Sequence, residues 1–312
     1  MSFTTQIKNE ISQIEVSESE KIAELSAFVK NNATIEDEKI ILTTENNNIA
    51  KRIGTFLQEC FDVSIKVDTI KQVTLHKNEL YLLAVTDKID FLLQSLSIYD
   101  EANHKREVPE EYIVGANEEI RAYLRGCFLC QGSINDPKTS RYHMELLISE
   151  PKEAVFVQKL LNLFDLNVKI LTRDKGYMLY IKEADKISDY LKIIKANNAV
   201  LYFENQRIYR NKKNQANRLN NCEQANMDKV VATATAQLDD ITIIEENLGT
   251  SLLDDKTQEA LEYRKKYPEA SLKELSEIIT IETGNPITKS GLNHRFRKIK
   301  ELATRFKNLD KK

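Results

Sequence analysis

One segment of this chain occurs twice, and the repeat restricts the folds open to it. Leu25-Ser-Ala-Phe-Val-Lys-Asn-Asn-Ala-Thr-Ile35 and Leu124-Arg-Gly-Cys-Phe-Leu-Cys-Gln-Gly-Ser-Ile134 share one frame. A Leu is followed by a small residue two positions on, then an apolar turn, then a small-polar-Ile ending. Each copy closes a predicted helix and leads into a predicted strand. Small residues at Ala27 and Gly126, and at Ala33 and Gly132, are expected to let two helices approach closely about a twofold axis.

The order of elements repeats as well. Ile7, Ile11 and Ile14 mark an opening helix over 4–14. The first motif helix, at 20–31, leads to a strand at 39–44, a helix at 46–60, strands at 63–70 and 79–85, and a helix at 87–98. The second motif helix, at 117–130, leads to a strand at 142–148, a helix from Pro151, strands at 168–171 and 177–181, and a helix at 184–195. Pro151 suits a first helical turn, where its missing N–H costs nothing. Phe61-Asp-Val-Ser-Ile65 matches Leu166-Asn-Val-Lys-Ile170 at the helix-to-strand joints. The expected class is α+β: a pseudo-twofold domain over 1–205 built from two αββαββ halves, about 20–100 and 117–200. A helical linker at 206–250 and an all-α helix-turn-helix domain at 255–307 complete it.

Charge divides along the same line. Residues 1–205 hold 25 Lys/Arg against 32 Asp/Glu, and residues 206–312 hold 20 against 16. A polyanion is drawn to the second part and repelled on average by the first. Arg207, Arg210, Lys212, Lys213 and Arg218 occur before the next acid, Glu223, and are candidate auxiliary contacts to a DNA backbone. The alternative for that stretch is a solvated face beside an acidic domain. The start of the chain lacks the apolar core of a signal peptide, and no run approaches the roughly 20 apolar residues of a membrane span. A cytoplasmic, nucleoid-associated protein is expected. The four cysteines do not suggest a disulfide framework. Cys127 and Cys130, in an apolar helix without a second such pair or a nearby His cluster, read as small packing side chains rather than a metal or redox pair.

The tail carries the second signal. Thr257 to Lys266 reads as a helix ending before Pro268. Ser271-Leu-Lys-Glu274 is a capping box that starts another. A turn with Gly284 and Pro286 follows, and Thr288 can cap a long third helix. At about 100° per residue, Leu292, Phe296, Ile299, Ala303 and Phe306 fall on one stripe. Ser290, Asn293, His294, Arg297 and Lys298 fall on the other side, with Lys289 at the start and Arg295 and Lys300 flanking. No acid occurs from Asn285 to Lys300. An apolar back and a front of Arg, Lys, Asn and Ser are what a recognition helix needs to reach phosphates and base edges in the major groove. These eight front and flanking residues are the candidate DNA-binding set.

The duplicated segment resembles the LAGLIDADG motif of homing endonucleases in two degenerate copies. In that family the residue before the last small one is an acid that holds the catalytic metal. Here those positions are Asn32 and Gln131, and a neutral amide cannot take over that role. Lys289-Ser-Gly-Leu-Asn-His-Arg-Phe-Arg-Lys298 resembles the signature end of the WhiA family of bacterial regulators. Asn217-Arg-Leu-Asn-Asn-Cys-Glu-Gln-Ala-Asn226 resembles that family's connecting segment, and Arg121-Ala-Tyr-Leu-Arg-Gly126 its second motif helix. The resemblance spans nearly the whole chain. It implies a LAGLIDADG-type domain joined to a helix-turn-helix, and a role in transcription regulation linked to cell division, chromosome segregation or sporulation.

Three functions follow as expectations. The first is a sequence-specific regulator of double-stranded DNA. The second is a residual nuclease recruiting Glu36, Asp37 or Asp136, which Asn32 and Gln131 oppose. The third is a scaffold that binds a protein partner through its first domain and is localised by DNA. No enzyme activity, metal, cofactor or small-molecule substrate is expected, because no Gly-rich loop, nucleophile–base pair or ligand set is present. Of the histidines at 76, 104, 143 and 294, only His294 has a place in a site.

Overall fold

The computed structural model describes residues 1–36, 39–71, 79–139, 141–174, 176–249 and 252–309. Contacts divide the chain into two compact units, Met1–Asn211 and Lys212–Lys312. In the first, helix α1 (Phe3–Ile11) precedes α2 (Glu18–Asn32), strands β1 (Thr34–Glu36) and β2 (Lys39–Thr44), α3 (Asn47–Phe61), β3 (Ile65–Lys71), β4 (Glu79–Val85) and α4 (Ile89–Ser95). The second half repeats this with α5 (Asn117–Gln131), β5 (Gly132–Ile134), β6 (Met144–Ile148), α6 (Pro151–Asn162), β7 (Lys169–Arg173), β8 (Gly176–Ile181) and α7 (Ala184–Ile193). Helix α8 (Asn197–Asn247) follows, and the expected linker at 206–250 falls largely within it.

The two halves form two antiparallel sheets with the same topology, β1-β2-β4-β3 and β5-β6-β8-β7. Their registers correspond: Leu42 pairs with Leu83 in one, and Leu146 with Leu179 in the other. Alternation sends these four residues, with Ile40, Val85, Met144 and Ile181, into the core. The motif helices α2 and α5 pack on each other at the centre, burying Leu25, Ala27, Phe28, Leu124 and Phe128. A Cβ at Gly126 would run into the Glu24 carbonyl oxygen and lie 2.9 Å from the Ala27 Cβ. Gly126→Ala therefore forces two backbones apart and costs about 1–3 kcal/mol, read as a lower denaturation midpoint. Gly132 plays a different part from the one expected. A Cβ there would strike Phe128 of α5, the helix Gly132 ends, not the facing helix.

Two buried carboxylates, Glu24 and Glu153, each gather hydrogen-bond donors in the interior. Glu24 on α2, fully buried, accepts from Arg52 Nε at 2.5 Å and Nη2 at 3.0 Å, and from Arg125 Nε at 2.6 Å. Glu153 on α6 accepts at one oxygen from Asn31 Nδ2 (2.8 Å) and the Tyr123 hydroxyl (3.1 Å). Burial pushes the Glu153 carboxyl above the usual carboxylate range, against the opposing pull of Lys30. The folded state then holds its proton more tightly than the unfolded one. The stability this adds is full below the unfolded value and is lost as pH rises through the folded one. Glu153→Gln keeps an oxygen for both donors and removes the charge. The variant is expected to lose less stability than wild type as pH is raised from 4 to 7, in urea unfolding at each pH.

Helix α1 ties the unit's ends together. The Thr4 hydroxyl donates to the Ile134 carbonyl and accepts from the Ile134 N–H, each at 3.0 Å. The Glu10 carboxylate accepts from the backbone N–H of Asn198 and Ala199, at the free N-terminus of α8. Phe203 is buried against Phe3 and Tyr142.

The second unit is all helical. Ile241 and Ile244 of α8 join a core with α9 (Asp255–Lys266), α10 (Leu272–Thr283) and α11 (Lys289–Leu309). The Ser271–Glu274 capping box forms as expected, and Gly284 ends α10 with φ at 73°, where a residue without a Cβ fits best. The Thr288 hydroxyl accepts from the Gly291 N–H at 3.1 Å and so starts α11. Among the described residues, no helix is long and apolar enough to cross a membrane.

Candidate nucleic-acid interface

Helix α11 divides along its length. Leu292, Phe296, Ile299 and Ala303 are buried and Phe306 half-buried. Lys289, Ser290, Asn293, His294, Arg297, Lys298 and Lys300 are exposed. A buried arginine fixes the orientation of this helix. The Arg264 guanidinium donates to the Ala270 carbonyl (2.6 Å) and the Tyr267 carbonyl (3.4 Å), and lies 5.5 Å over the Phe296 ring. The turn between α9 and α10 and the back of α11 are thereby held by one side chain. Its only mark in the sequence is a charged residue at the same spacing as the buried Thr257, Ala260 and Leu261 of α9.

The eight candidate residues separate by what they touch. Arg295 is partly buried and donates to Glu259 (2.7 Å) and to the Lys256 carbonyl (2.9 Å). Lys298 pairs with Asp254 at 3.0 Å. Asp254 also caps α9 by accepting from the Thr257 N–H and hydroxyl, and Lys298 with these two donors holds its carboxyl down at about 2. Both cations thus dock α11 onto α9. Lys289, Arg297 and Lys300 have no such partner among the described residues, and neither do Ser290, Asn293 and His294. Arg297 and Lys300, with Asn293, line a cleft of about 430 Å³ whose other wall is Ala232, Thr233, Ala236, Gln237 and Asp240 of α8, Asp240 being paired with Lys307. The front of α11 presents unneutralised positive charge, two amide or imidazole groups and a hydroxyl over a rigid apolar back.

The auxiliary set is split in the same way. Arg207 pairs with Asp185 and with Glu204. Arg210 donates to the Pro137 carbonyl at 3.0 Å and stacks over Tyr142, 4.4 Å from the ring centre. These two arginines fasten α8 to the first unit. Lys212, Lys213 and Arg218 are exposed.

The ends of the motif helices carry structure instead of a metal set. The Asn32 amide donates to the Thr43 carbonyl (2.9 Å) and accepts from the Thr43 N–H (2.7 Å), so it stands in for a strand neighbour of β2. Gln131 is exposed. Glu36 pairs with Lys39, and Asp136 accepts from the Lys138 N–H within a turn. Asp37 and His76 lie outside the described residues. Among those residues no three His, Cys, Asp or Glu side chains gather as metal ligands would. Cys127 is buried, and burial raises the thiols of both members of the pair, that of Cys130 to about 12. Such thiols stay protonated and are poor nucleophiles and ligands. His104 pairs with Asp100, and His143 lies between Glu145 and the Tyr180 ring.

Residues 18–99 match the family model described as the WhiA N-terminal LAGLIDADG-like domain, 120–213 the WhiA LAGLIDADG-like domain, and 216–303 the WhiA C-terminal HTH domain. The chain is 41% identical over 314 residues to the probable cell division protein WhiA of Bacillus cereus strain B4264, covering 98% of both. It is 39% identical over 312 residues to the probable cell division protein WhiA of Bacillus mycoides strain KBAB4, again covering 98% of both. Its fold is similar to that of full-length DUF199/WhiA from Thermatoga maritima, with a TM-score of 0.60 at 22% identity over 98% of this chain and 99% of that one. The crystal structure of the N-terminal LAGLIDADG domain of DUF199/WhiA matches 62% of this chain with a TM-score of 0.50.

Proposed function

The chain belongs to the WhiA family, and from that premise we propose that it is a sequence-specific DNA-binding regulator of transcription acting in cell division. The observation that carries the reading is the front of α11. Among the described residues Lys289, Arg297 and Lys300 are exposed and form no ion pair, next to Ser290, Asn293 and His294; the acid across the cleft from Arg297 and Lys300, Asp240, is paired with Lys307. An unpaired cation on a rigid helix keeps its full attraction for phosphate, and Arg and Asn side chains match guanine and adenine edges in the major groove. Residues 255–307 are the DNA-binding domain in this reading. Residues 1–205 are a scaffold without nuclease activity: the Asn32 amide is committed to Thr43. The protein sits on the nucleoid.

Genome-wide crosslinking of the protein in its own cells tests this. Wild type should occupy discrete sites near genes whose transcripts change on its depletion. An Arg297→Ala/Lys300→Ala protein at equal abundance should lose those sites. Uniform occupancy, or sites that persist in the variant, would reject the reading. Plasmid nicking by the purified protein with Mg²⁺ would reject the non-enzymatic role of the first domain.

A further inference from the structure

Helix α8 has a stretch that neither core uses. From Lys212 to Lys229 every residue is exposed. A helix exposed on all sides and serving only to span usually carries i,i+4 pairs of opposite charge. This one does not. Between Glu204 and Glu223 there is no acid, and Lys212, Lys213 and Arg218 stand in that interval without an ion-pair partner among the described residues. Asparagine, a weak helix former, is repeated through it at 211, 214, 217, 220 and 221.

The asparagines are not scattered. Asn214, Asn217, Arg218 and Asn221 have the spacing i, i+3, i+4, i+7, which puts them on one face of a straight helix. Ala216, Leu219 and Met227 fall on the opposite side. No hydrogen bond occupies the four side chains on the Asn/Arg face among the described residues, whereas Gln224 and Asn226 just beyond are bonded within the helix. Asn pairs bidentately with adenine N6/N7, and Arg with guanine or with a phosphate. Lys213, about 90° round the helix from this face, adds backbone attraction.

We propose that Asn214, Asn217, Arg218 and Asn221 form a second DNA-reading face, on α8, distinct from the front of α11. It takes duplex DNA through a groove, with Arg218 on guanine or phosphate and the asparagines on adenine edges. This rests on the reading of the protein as a DNA binder. It adds that the bound site is longer than one recognition helix covers.

The test uses the full chain and the genomic fragment that wild type enriches best. Arg218→Ala, Asn214→Ala/Asn217→Ala/Asn221→Ala, and Met227→Ala as the opposite-face control are compared with Arg297→Ala. Replacing Asn by Ala raises helix propensity, so circular dichroism should show helix content unchanged or higher. Arg218→Ala should weaken binding about tenfold and reduce the slope of log K against log salt by about 1. The triple Asn variant should lose about tenfold or more on the enriched fragment and shorten the hydroxyl-radical footprint, with little change on unrelated DNA. Met227→Ala should bind as wild type. If the α8 variants keep wild-type affinity, slope and footprint while Arg297→Ala loses binding, the proposed function stands and the α8 face is rejected. If wild type binds no DNA, both fail. If the α8 variants bind DNA normally but change the sedimentation coefficient, the face joins protein copies, and the inference is overturned.

Discussion

Glu24→Ala is expected to unfold the first unit more readily than any surface change in the chain. The variant leaves the Arg52 and Arg125 guanidinium groups, both buried, without the carboxylate that lies between them. Removing one member of a buried charged set costs about 3–5 kcal/mol, because the remaining charges stay desolvated. For a unit of this size that is a fall in melting temperature of roughly 10 °C. Arg52 retains the Ser12 and Ile14 carbonyls as acceptors, at 3.3 and 2.8 Å. Among the described residues Arg125 retains only the Glu20 carboxylate at 3.7 Å, and two of its nitrogens are already buried without a hydrogen bond. Most of the cost therefore falls on Arg125. The contrasting triple variant, Glu24→Leu/Arg52→Met/Arg125→Met, removes these three charges at once, leaves Glu20 paired with Lys195, and should be near neutral or more stable than wild type. Calorimetry on both separates a desolvation penalty from a general intolerance of this helix crossing.

Arg297→Ala is expected to weaken binding to the cognate fragment about 5- to 150-fold, the equivalent of about 1–3 kcal/mol for one bidentate base contact. Its melting temperature should match wild type, because the exposed side chain has no hydrogen-bond or ion-pair partner to lose among the described residues. Arg295→Ala and Lys298→Ala make the comparison informative. Each breaks a pair that docks α11 onto α9, so each should affect stability as well as affinity. Calorimetry beside fluorescence anisotropy on the three variants distinguishes a residue that meets DNA from residues that aim the helix at it.

Much of the architecture was legible because it is periodic. The duplicated motif located α2 and α5, and the repeated order of elements after each copy gave two sheets of one topology. The capping box at Ser271 and the apolar stripe of α11 depend on neighbours within one or two helical turns, so spacing alone defined them. What was not legible depends on partners far apart in sequence. Arg295 meets Glu259 and Lys298 meets Asp254 across two helices, so the sequence presented five front residues, one at the helix start and two flanking as one candidate set, where the structure has six without a partner among the described residues and two that dock the helix. Arg207 and Arg210 looked like free cations because Asp185, Pro137 and Tyr142 come from other elements. Glu24 and Arg125 lay in helices already read as apolar, and only the crossing of those helices places the charges together. Helix α8 runs unbroken through most of the expected helical linker at 206–250, a continuity its asparagines obscure because they compete with helix by bonding to nearby backbone.

The central claim is that the tail reads sequence through the front of α11. Selection from a pool of the organism's own genomic fragments, at two salt concentrations, tests it most directly, with wild type beside Arg297→Ala/Lys300→Ala. The account predicts one enriched motif, retained at the higher salt at reduced yield and absent from the variant's pool. Fragments recovered in proportion to their abundance, or the same motif recovered by both proteins, would contradict it.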